Sequence, residues 1–394
     1  MPPFERIMSP ALPHWTPPSR LPHLGTTIFT SMSVLAQQHR AVNLGQGFPD
    51  FECDPRLIEC VHEAMRQGFN QYAPMPGLLL LREILSAQVE NLYGRTFNPH
   101  TEITITAGAT QAIFTALLSI VHPGDEIIVL TPCYDSYEPN ILLAGGRVVH
   151  VPLRPGTFRP DFPAISAALT PRTRALIINS PHNPTGTVWS AEEMETLSVL
   201  LRPTSTLLIS DEVYEHMVFD GQRHQSVSRW PDLAERSFVI SSFGKTLHVT
   251  GWKVGFMVAP EALSAEFRKV HQFNVFCVNS AIQQGLAAYL KNFNPTSKLA
   301  PFYQAKRDFF LQGLRQTRFK PLPCEGSYFQ CVNYAEISDD SEEAFCVWLT
   351  EKIGVAAIPI SAFYPDRQSQ QLARLCFAKK QDTLEKALDK LSVL

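Results

Sequence analysis

Long apolar runs are missing from this sequence. None approaches the roughly 18 consecutive apolar residues expected of a transmembrane helix. The stretch from Met1 to about His23 is rich in proline and has no continuous apolar segment, so it lacks the pattern of a secretory signal. We therefore expect no membrane association, and an irregular N-terminal arm over residues 1–23.

An excess of charge of either sign is also missing. The 34 Lys and Arg residues nearly balance the 37 Asp and Glu residues, for a net charge of −3, and no long basic run is present. Such a chain has no general attraction for nucleic acid. The eight cysteines form no CxxC pair and no regular framework, which is typical of reduced thiols. We expect a cytoplasmic protein with neither a nucleic-acid partner nor a bound metal.

Short apolar runs separated by helical stretches follow from about residue 100. The runs are nearly continuous in apolar residues, which is typical of strands buried on both faces of a mostly parallel sheet. They predict an α/β fold, with a large domain whose sheet is sandwiched by helices. The runs cover residues 102–106, 126–130, 148–151, 175–178 and 206–209.

The sequence changes character after about residue 290. Amphipathic helical stretches over 305–314 and 342–352 there accompany isolated strand-like runs over 328–332 and 372–377. We predict a smaller α+β domain over residues 291–394. Residues 24–54 are expected to join it, which leaves residues 55–290 as the large domain.

Four polar segments come directly after predicted strands. Ligands of parallel α/β sheets bind at the carboxyl ends of the strands, so we expect these segments to meet at one rim. They cover residues 106–110, 179–186, 210–214 and 241–246.

Lys245 in the last of these segments has three interpretations. It is a surface lysine, as most lysines are; it belongs to a phosphate-binding P-loop; or it is a nucleophile that forms a Schiff base with an aldehyde. The P-loop motif needs a glycine five positions before its final glycine, and Val239 stands there. In a partly desolvated, cationic site the pKa of Lys245 would fall, which favours the nucleophile.

The other polar groups suit a phosphorylated aldehyde cofactor. Residues 108–110 open a helix, where unpaired amides bind anions. Asp211 can pair with a protonated ring nitrogen, and Tyr214 and Asn183 can donate to a ring oxygen. Each feature taken alone also has an ordinary structural interpretation, as a turn with a capping threonine, a helix N-cap, a packed ring or an Asn-Pro turn.

Arg374 lies within an apolar strand-like run. A partly buried guanidinium needs an anion, and its fork fits a carboxylate, although a structural salt bridge would satisfy it equally well. With the groups above, it specifies pyridoxal phosphate and the carboxylate of an amino acid.

Four motifs in this order resemble those of the fold-type I, class I aminotransferases. They are Asn183-Pro184-Thr185-Gly186, Asp211-Glu212-Val213-Tyr214, Ser241-Ser242-Phe243-Gly244-Lys245 and Arg374, within a resemblance that runs from about residue 24 to the C-terminus. Residues 43–51, 70–77 and 250–255 resemble the kynurenine/glutamine aminotransferase branch of that family. Residues 24–30 and 210–216 are most similar to its bacterial methionine aminotransferases.

The resemblance implies a role for each matched residue. Lys245 holds the cofactor and carries the proton between the substrate and the cofactor. Tyr72 reaches the phosphate bound by a neighbouring subunit, which implies a homodimer with shared active sites, and it also contacts substrate. The resemblance assigns cofactor contacts to Gly108, Ala109, Thr110, Tyr134, Asn183, Asp211, Tyr214, Ser242 and Lys253, and substrate contacts to Gly47, Asn183 and Arg374, with Tyr134 stacked on the ring.

Departures from the branch bear on the substrate. Phe29 replaces a tryptophan and Cys277 replaces a histidine, both expected near the substrate side chain, while Lys253 stands where aspartate aminotransferases have an arginine. An uncharged thioether or aromatic side chain is therefore favoured over kynurenine.

We predict transfer of the amino group of methionine, or of aromatic amino acids and glutamine, to a 2-oxo acid by a ping-pong mechanism. The alternatives are a kynurenine–oxoglutarate aminotransferase and a cysteine-S-conjugate β-lyase. A cofactor-binding regulator is disfavoured, because such proteins usually carry an added DNA-binding domain and the N-terminal segment is too short for one.

Overall fold

The computed structural model describes residues 18–294 and 296–394. Most of the predicted N-terminal arm therefore lies outside the described residues. The strands are β1 (Val42–Asn43), β2 (Ile103–Thr106), β3 (Glu126–Thr131), β4 (Arg147–Pro152), β5 (Thr173–Asn179), β6 (Leu207–Asp211), β7 (Ser237–Ser242), β8 (Gly255–Val258), β9 (Lys320–Pro321), β10 (Phe329–Asn333), β11 (Val355–Ala356), β12 (Ile358–Pro359) and β13 (Leu372–Cys376).

The helices surround these strands. They are α1 (Ile28–Gln38), α2 (Pro55–Arg66), α3 (Leu79–Tyr93), α4 (Ala109–Ile120), α5 (Tyr137–Leu143), α6 (Phe162–Ala168), α7 (Ala191–Leu201), α8 (Pro231–Ala234), α9 (Phe243–Thr246), α10 (Glu261–Asn274), α11 (Ser280–Asn292), α12 (Leu299–Leu314), α13 (Glu342–Trp348) and α14 (Gln381–Leu391). No helix in the two described ranges is long and apolar enough to cross a membrane.

Seven strands form the large sheet, in the order β2-β8-β7-β6-β5-β3-β4. Neighbours from β7 to β4 pair in parallel, whereas β8 is antiparallel to both β2 and β7. The prediction of a mostly parallel sheet is confirmed. The sequence analysis did not predict β8, because this strand begins at Gly255 and adds only the three apolar residues 256–258 to the glycine-containing segment after Lys245.

The large sheet is buried on both faces. Ile127 and Val129 of β3 pack into one apolar cluster, while Ile128 and Leu130 of the same strand pack into another. Alternate side chains of a strand point to opposite faces, so each cluster covers one face. This explains why the central strands are apolar at every position instead of alternating.

A second, four-stranded sheet is antiparallel throughout, in the order β12-β13-β10-β9. A separate parallel pair joins β1 to β11, with Val42 opposite Val355 and Asn43 opposite Ala356. The pairing attaches the N-terminal residues to the C-terminal part of the chain. The boundaries at residues 23, 54 and 290 remain a prediction.

The carboxyl ends of four strands meet at one edge of the large sheet. Asn179, Asp211 and Ser242 are the last residues of β5, β6 and β7, which run in parallel. Thr106 ends β2 at the same edge, since β2 and β7 are both antiparallel to β8. The predicted common rim is therefore present.

Candidate active site

A cavity of about 370 Å³ opens at this rim. Its walls come from the strand ends of the large sheet, from the start of α4, and from residues of the N- and C-terminal segments. The cavity is lined by every predicted site residue except Tyr72, that is by Phe29, Gly47, Gly108, Ala109, Thr110, Tyr134, Asn183, Asp211, Tyr214, Ser242, Lys245, Lys253 and Arg374.

Lys245 projects into the cavity from α9, a single turn that follows β7. Ser242 caps this turn by accepting a hydrogen bond from the backbone N–H of Gly244 at 3.2 Å. The Lys245 amine donates to the hydroxyl of Tyr328 at 3.0 Å and to the carbonyl of Gly47 at 3.3 Å. Burial lowers the pKa of Lys245 to about 8. The surface-lysine interpretation is therefore excluded, and the neutral, nucleophilic amine is accessible near neutral pH.

Tyr328 is a site residue that the sequence did not predict. Its hydroxyl donates to the carbonyl of Gly47 at 2.6 Å while accepting from Lys245, so the three groups form one network. A Cβ on Gly47 would lie only 2.8 Å from Cζ of Phe329, which leaves no room for a side chain there. Tyr328 stands directly before β10 among apolar residues, and only the tertiary fold brings it to Lys245.

Asp211 presents a buried carboxylate at the end of β6. One oxygen accepts from the Tyr137 hydroxyl at 2.7 Å, and the other accepts from the backbone N–H of Val213 at 3.3 Å. Burial raises the pKa of Asp211 to about 6, and the two hydrogen bonds lower it. No helix begins at Asp211, so the N-cap interpretation is wrong. The carboxylate is placed to accept from a cationic N–H in the cavity.

Tyr137, the residue that orients Asp211, was also missing from the sequence-based prediction. It lies three residues beyond Tyr134, whose ring contacts it edge to face at 5.7 Å. The only signal in the sequence was a second tyrosine three residues after Tyr134. Its role could be recognised only from the strand order, in which β5 alone separates β3, before Tyr137, from β6, which ends at Asp211.

Asn179 joins the two loops that flank Asp211. Its side-chain amide donates to the backbone carbonyl of Asp211 at 2.8 Å, and its oxygen accepts from the backbone N–H of Asn183 at 2.8 Å. The side-chain oxygen of Asn183 in turn accepts from Arg374 at 2.7 Å. This chain of bonds fixes Asn183 at the cavity wall.

Arg374 is a buried cation without a counter-ion among the described residues. Besides Asn183, its guanidinium donates to the carbonyl of Gly45 at 2.9 Å, and its Nε has no partner within those residues. Its charged carbon lies 4.0 Å from the centre of the Phe329 ring, 5.0 Å from that of Phe363 and 5.3 Å from that of Phe29. No carboxylate in residues 18–294 or 296–394 forms a salt bridge with it, so an incoming carboxylate would neutralise its charge.

Donors for a second anion lie at the start of α4. Gly108 precedes this 12-residue helix at φ 84°, and no side chain caps the free N–H groups of the first turn, to which Ala109 and Thr110 belong. The Lys253 amine reaches within 3.6 Å of the place that a Cβ on Gly108 would occupy. A helix N-terminus and a cation at the same place favour a phosphate group.

Two aromatic side chains complete the wall between these anion sites. Burial raises the pKa values of Tyr134 and Tyr214, so both phenols stay neutral and can donate hydrogen bonds. Tyr214 packs edge to face on Tyr328 at 5.0 Å, beside the Lys245 amine. Tyr134 presents its ring to the cavity beside Asp211. The space between them suits a flat, polar ring.

Tyr72 does not reach this cavity from within the same chain. It is 81% exposed and packs edge to face on Phe276 at 5.1 Å. Cys277, which was expected near the substrate side chain, lines the same surface groove as Tyr72. Phe29, expected at the same place, does line the cavity.

Comparison with known proteins identifies the family. A family model described as aminotransferase class I and II matches residues 39–391. Methionine aminotransferase of Escherichia coli is 49% identical over 380 residues, which cover 96% of this chain and 98% of that protein. Human kynurenine–oxoglutarate transaminase 1 is 34% identical, over 91% of this chain and 93% of its own. A crystal structure described as an E. coli methionine aminotransferase superposes with a TM-score of 0.95 at 48% identity, covering 96% of this chain and all of the other.

Proposed function

This chain belongs to the class I and II aminotransferases, and on that premise we propose that it transfers the amino group of methionine to a 2-oxo acid, with pyridoxal phosphate as cofactor. The observation that carries the proposal is the presence in one cavity of a half-buried lysine amine and a buried arginine that has no counter-ion among the described residues. The first supplies a base and nucleophile, and the second binds the carboxylate of an amino acid.

The residues present fit the cofactor. Lys253 and the start of α4 would hold the phosphate, the Tyr134 ring would cover the flat face, and Asp211 would accept from the protonated ring nitrogen. Asn183 and Tyr214 would donate to the ring oxygen. When bound, the cofactor supplies an electron sink for the substrate. The predicted residue assignments thus remain proposals, supported by the shared cavity.

The protein's own contribution to proton transfer is centred on Lys245. Its amine is held between the Gly47 carbonyl and the Tyr328 hydroxyl, with a pKa of about 8. An amine with a pKa near the working pH can both accept and return a proton efficiently. We propose that it carries the proton to and from the substrate Cα.

The side-chain end of the site favours an apolar donor. The Phe29 ring lines the cavity and is supported edge to face at 5.7 Å by the buried ring of Phe363, which lies outside the lining. Thioether sulfur makes favourable contacts with aromatic rings, so methionine suits the wall at Phe29. The name of the E. coli relative supports the same donor.

A panel of half-reactions tests the proposal. The protein loaded with pyridoxal phosphate is mixed with single amino acids, and the loss of its yellow colour is followed together with the oxo acid formed. We expect methionine to react fastest, ahead of aromatic amino acids and glutamine. Failure of every amino acid to react would contradict the proposed function.

The same panel separates the alternatives. A kynurenine rate above that of methionine would favour a kynurenine–oxoglutarate aminotransferase. Release of pyruvate and ammonia from cystathionine, without oxo-acid formation from methionine, would identify a β-lyase instead.

We further propose a cytoplasmic homodimer with shared active sites. Tyr72 packs on Phe276 and lines one surface groove with Phe69, and all three side chains are exposed, so a second copy would cover them. Tyr72 would then serve the cavity of that copy. Sedimentation should give about twice the chain mass of 44.1 kDa, and a monomer with full activity would contradict the proposal.

The eight free cysteines suit a reducing compartment, and cell fractionation would test the proposed cytoplasmic location.

Replacing Tyr137 with phenylalanine is expected to weaken cofactor retention roughly three- to tenfold, because a hydrogen bond to an ionised group is lost. This bond lowers the pKa of Asp211, which is about 6, so its loss raises that pKa further. Asp211 then becomes protonated at a higher pH and stops pairing with the ring nitrogen. The difference in cofactor affinity between the variant and the native protein should therefore grow as the pH falls towards 6. Equilibrium dialysis against pyridoxal phosphate measures this affinity.

Tyr93→Phe is the matched control for this prediction. The Tyr93 hydroxyl also donates to a buried carboxylate, that of Glu215, but it lies outside the cavity. This variant should lose some thermal stability and keep its affinity for the cofactor at every pH. Equal weakening in both variants would mean that Tyr137 acts only through stability.

A further inference from the structure

Asp135 places a carboxylate on the cavity wall without a structural partner. It follows Tyr134 in the segment between β3 and α5. The N-cap of α5 is Ser136, and no side chain caps that helix. The hydrogen bond that acts on Asp135 comes from its own backbone N–H. Within the described residues, neither helix capping nor an ion pair accounts for this carboxylate.

Asp135 lies in the cavity proposed to bind the substrate and is influenced by the charge of Arg374. Burial raises its pKa, and the charge of Arg374 is the main opposing influence. The two groups line one cavity but form no ion pair. A substrate whose carboxylate binds Arg374 must therefore place the rest of the molecule in the field of Asp135.

We propose that Asp135 is a specificity-determining residue that excludes amino donors and oxo acids with a second carboxylate. This inference rests on the proposed function. Every amino donor carries an α-carboxylate, so its repulsion by Asp135 is common to all of them and cancels in a comparison. The second carboxylate of glutamate or aspartate is repelled in addition. Repulsion of this kind is strong in a cavity that excludes much of the bulk water.

Glutamine and glutamate isolate this effect, because they have nearly the same shape and differ by one charge. Native protein should prefer glutamine, and 2-oxoglutarate should be a poor acceptor for the same reason. Removal of one charge several ångströms away should change the ratio of kcat/KM for glutamine to that for glutamate about tenfold.

The test compares the native protein with Asp135→Asn in half-reactions at about pH 8, well above the ordinary pKa range of an aspartate. We expect the ratio to fall about tenfold in the variant, through faster reaction of glutamate, while methionine changes by less than about threefold. Asp135→Glu keeps the charge and should keep the preference. Glu138→Gln is the matched control, since this carboxylate lies on α5 beside His150 and outside the cavity.

Failure of this inference is distinguishable from failure of the proposed function. If the native protein converts methionine but Asp135→Asn leaves the ratio unchanged, Asp135 does not select charge and the proposed function stands. If no amino acid reacts, the proposed function itself is wrong. Should glutamine and glutamate both react too slowly to measure, glutaramate and glutarate replace them as competitive inhibitors of the methionine half-reaction. An inhibition ratio unchanged by Asp135→Asn would again overturn the inference.

Discussion

Replacing Lys245 with alanine is expected to lower the rate of methionine conversion at least about 10⁴-fold, since it removes both a nucleophile and a general base. The loss of rate should appear in the half-reaction itself, which is followed in a stopped-flow instrument for the native protein and over hours for the variant. Binding of pyridoxal phosphate should persist in weakened form, because its phosphate and ring contacts come from other residues. Dialysis followed by absorbance spectroscopy measures this retention separately from activity.

Lys269→Ala provides the control for that experiment. Lys269 is an exposed lysine on α10 that pairs with Glu266, and its removal should leave the rate unchanged. Full activity in Lys245→Ala would contradict the proposed mechanism. A loss of activity accompanied by an unfolded circular dichroism spectrum would require the comparison to be repeated with Lys245→Arg, which keeps a long cationic side chain but cannot act as a base near neutral pH.

The second large effect concerns Arg374. The variant Arg374→Met should have a kcat/KM for the substrate methionine that is roughly 10²- to 10³-fold lower, because the substrate carboxylate then enters a buried site without its cation. Arg374→Lys keeps the charge but loses the fork, so we expect an intermediate value. The loss should fall mainly on substrate binding.

An amine without a carboxylate separates this role from general damage to the site. Decarboxylated methionine, 3-(methylthio)propylamine, should react much more slowly than methionine with the native protein. In Arg374→Met the two donors should approach each other in rate. If the preference for methionine over the amine survived the substitution, the carboxylate would have to bind elsewhere. Thermal unfolding of each variant controls for the two hydrogen bonds lost to Asn183 and Gly45.

The strands of the large sheet apart from β8, and their common rim, could be predicted because each of these strands carries a local signal. Lys245, Asp211 and Asn183 come after apolar runs, and the order of the parallel strands brings them to the same rim. Tyr328 and Tyr137 could not be predicted as site residues in this way. Tyr328 lies 83 residues beyond Lys245 and reaches it only through the tertiary packing of the C-terminal segment against the large sheet. The role of Tyr137 depends on a hydrogen bond across strands, which no local pattern encodes.

Tyr72 shows a different limit. Its assignment came from resemblance to a family, and within one chain its ring lies on the surface beside Phe276. Neither composition nor periodicity distinguishes an exposed tyrosine that serves a second copy from one that serves nothing. Nothing in the sequence was a reason to assign charge selection to Asp135, because an aspartate before a helix is usually a capping residue.

The pairing of β1 with β11 has a consequence for synthesis on the ribosome. Residues 42–43 leave the exit tunnel early but pair with residues 355–356, and the nearby Gly47 carbonyl meets Tyr328 only after most of the chain has been translated. Domains generally fold as they emerge, so the central sheet can form while Lys245 still lacks both of its hydrogen-bond partners. Nascent chains that end before about residue 330 should therefore have no working active site, and the last part of translation determines when the enzyme becomes active.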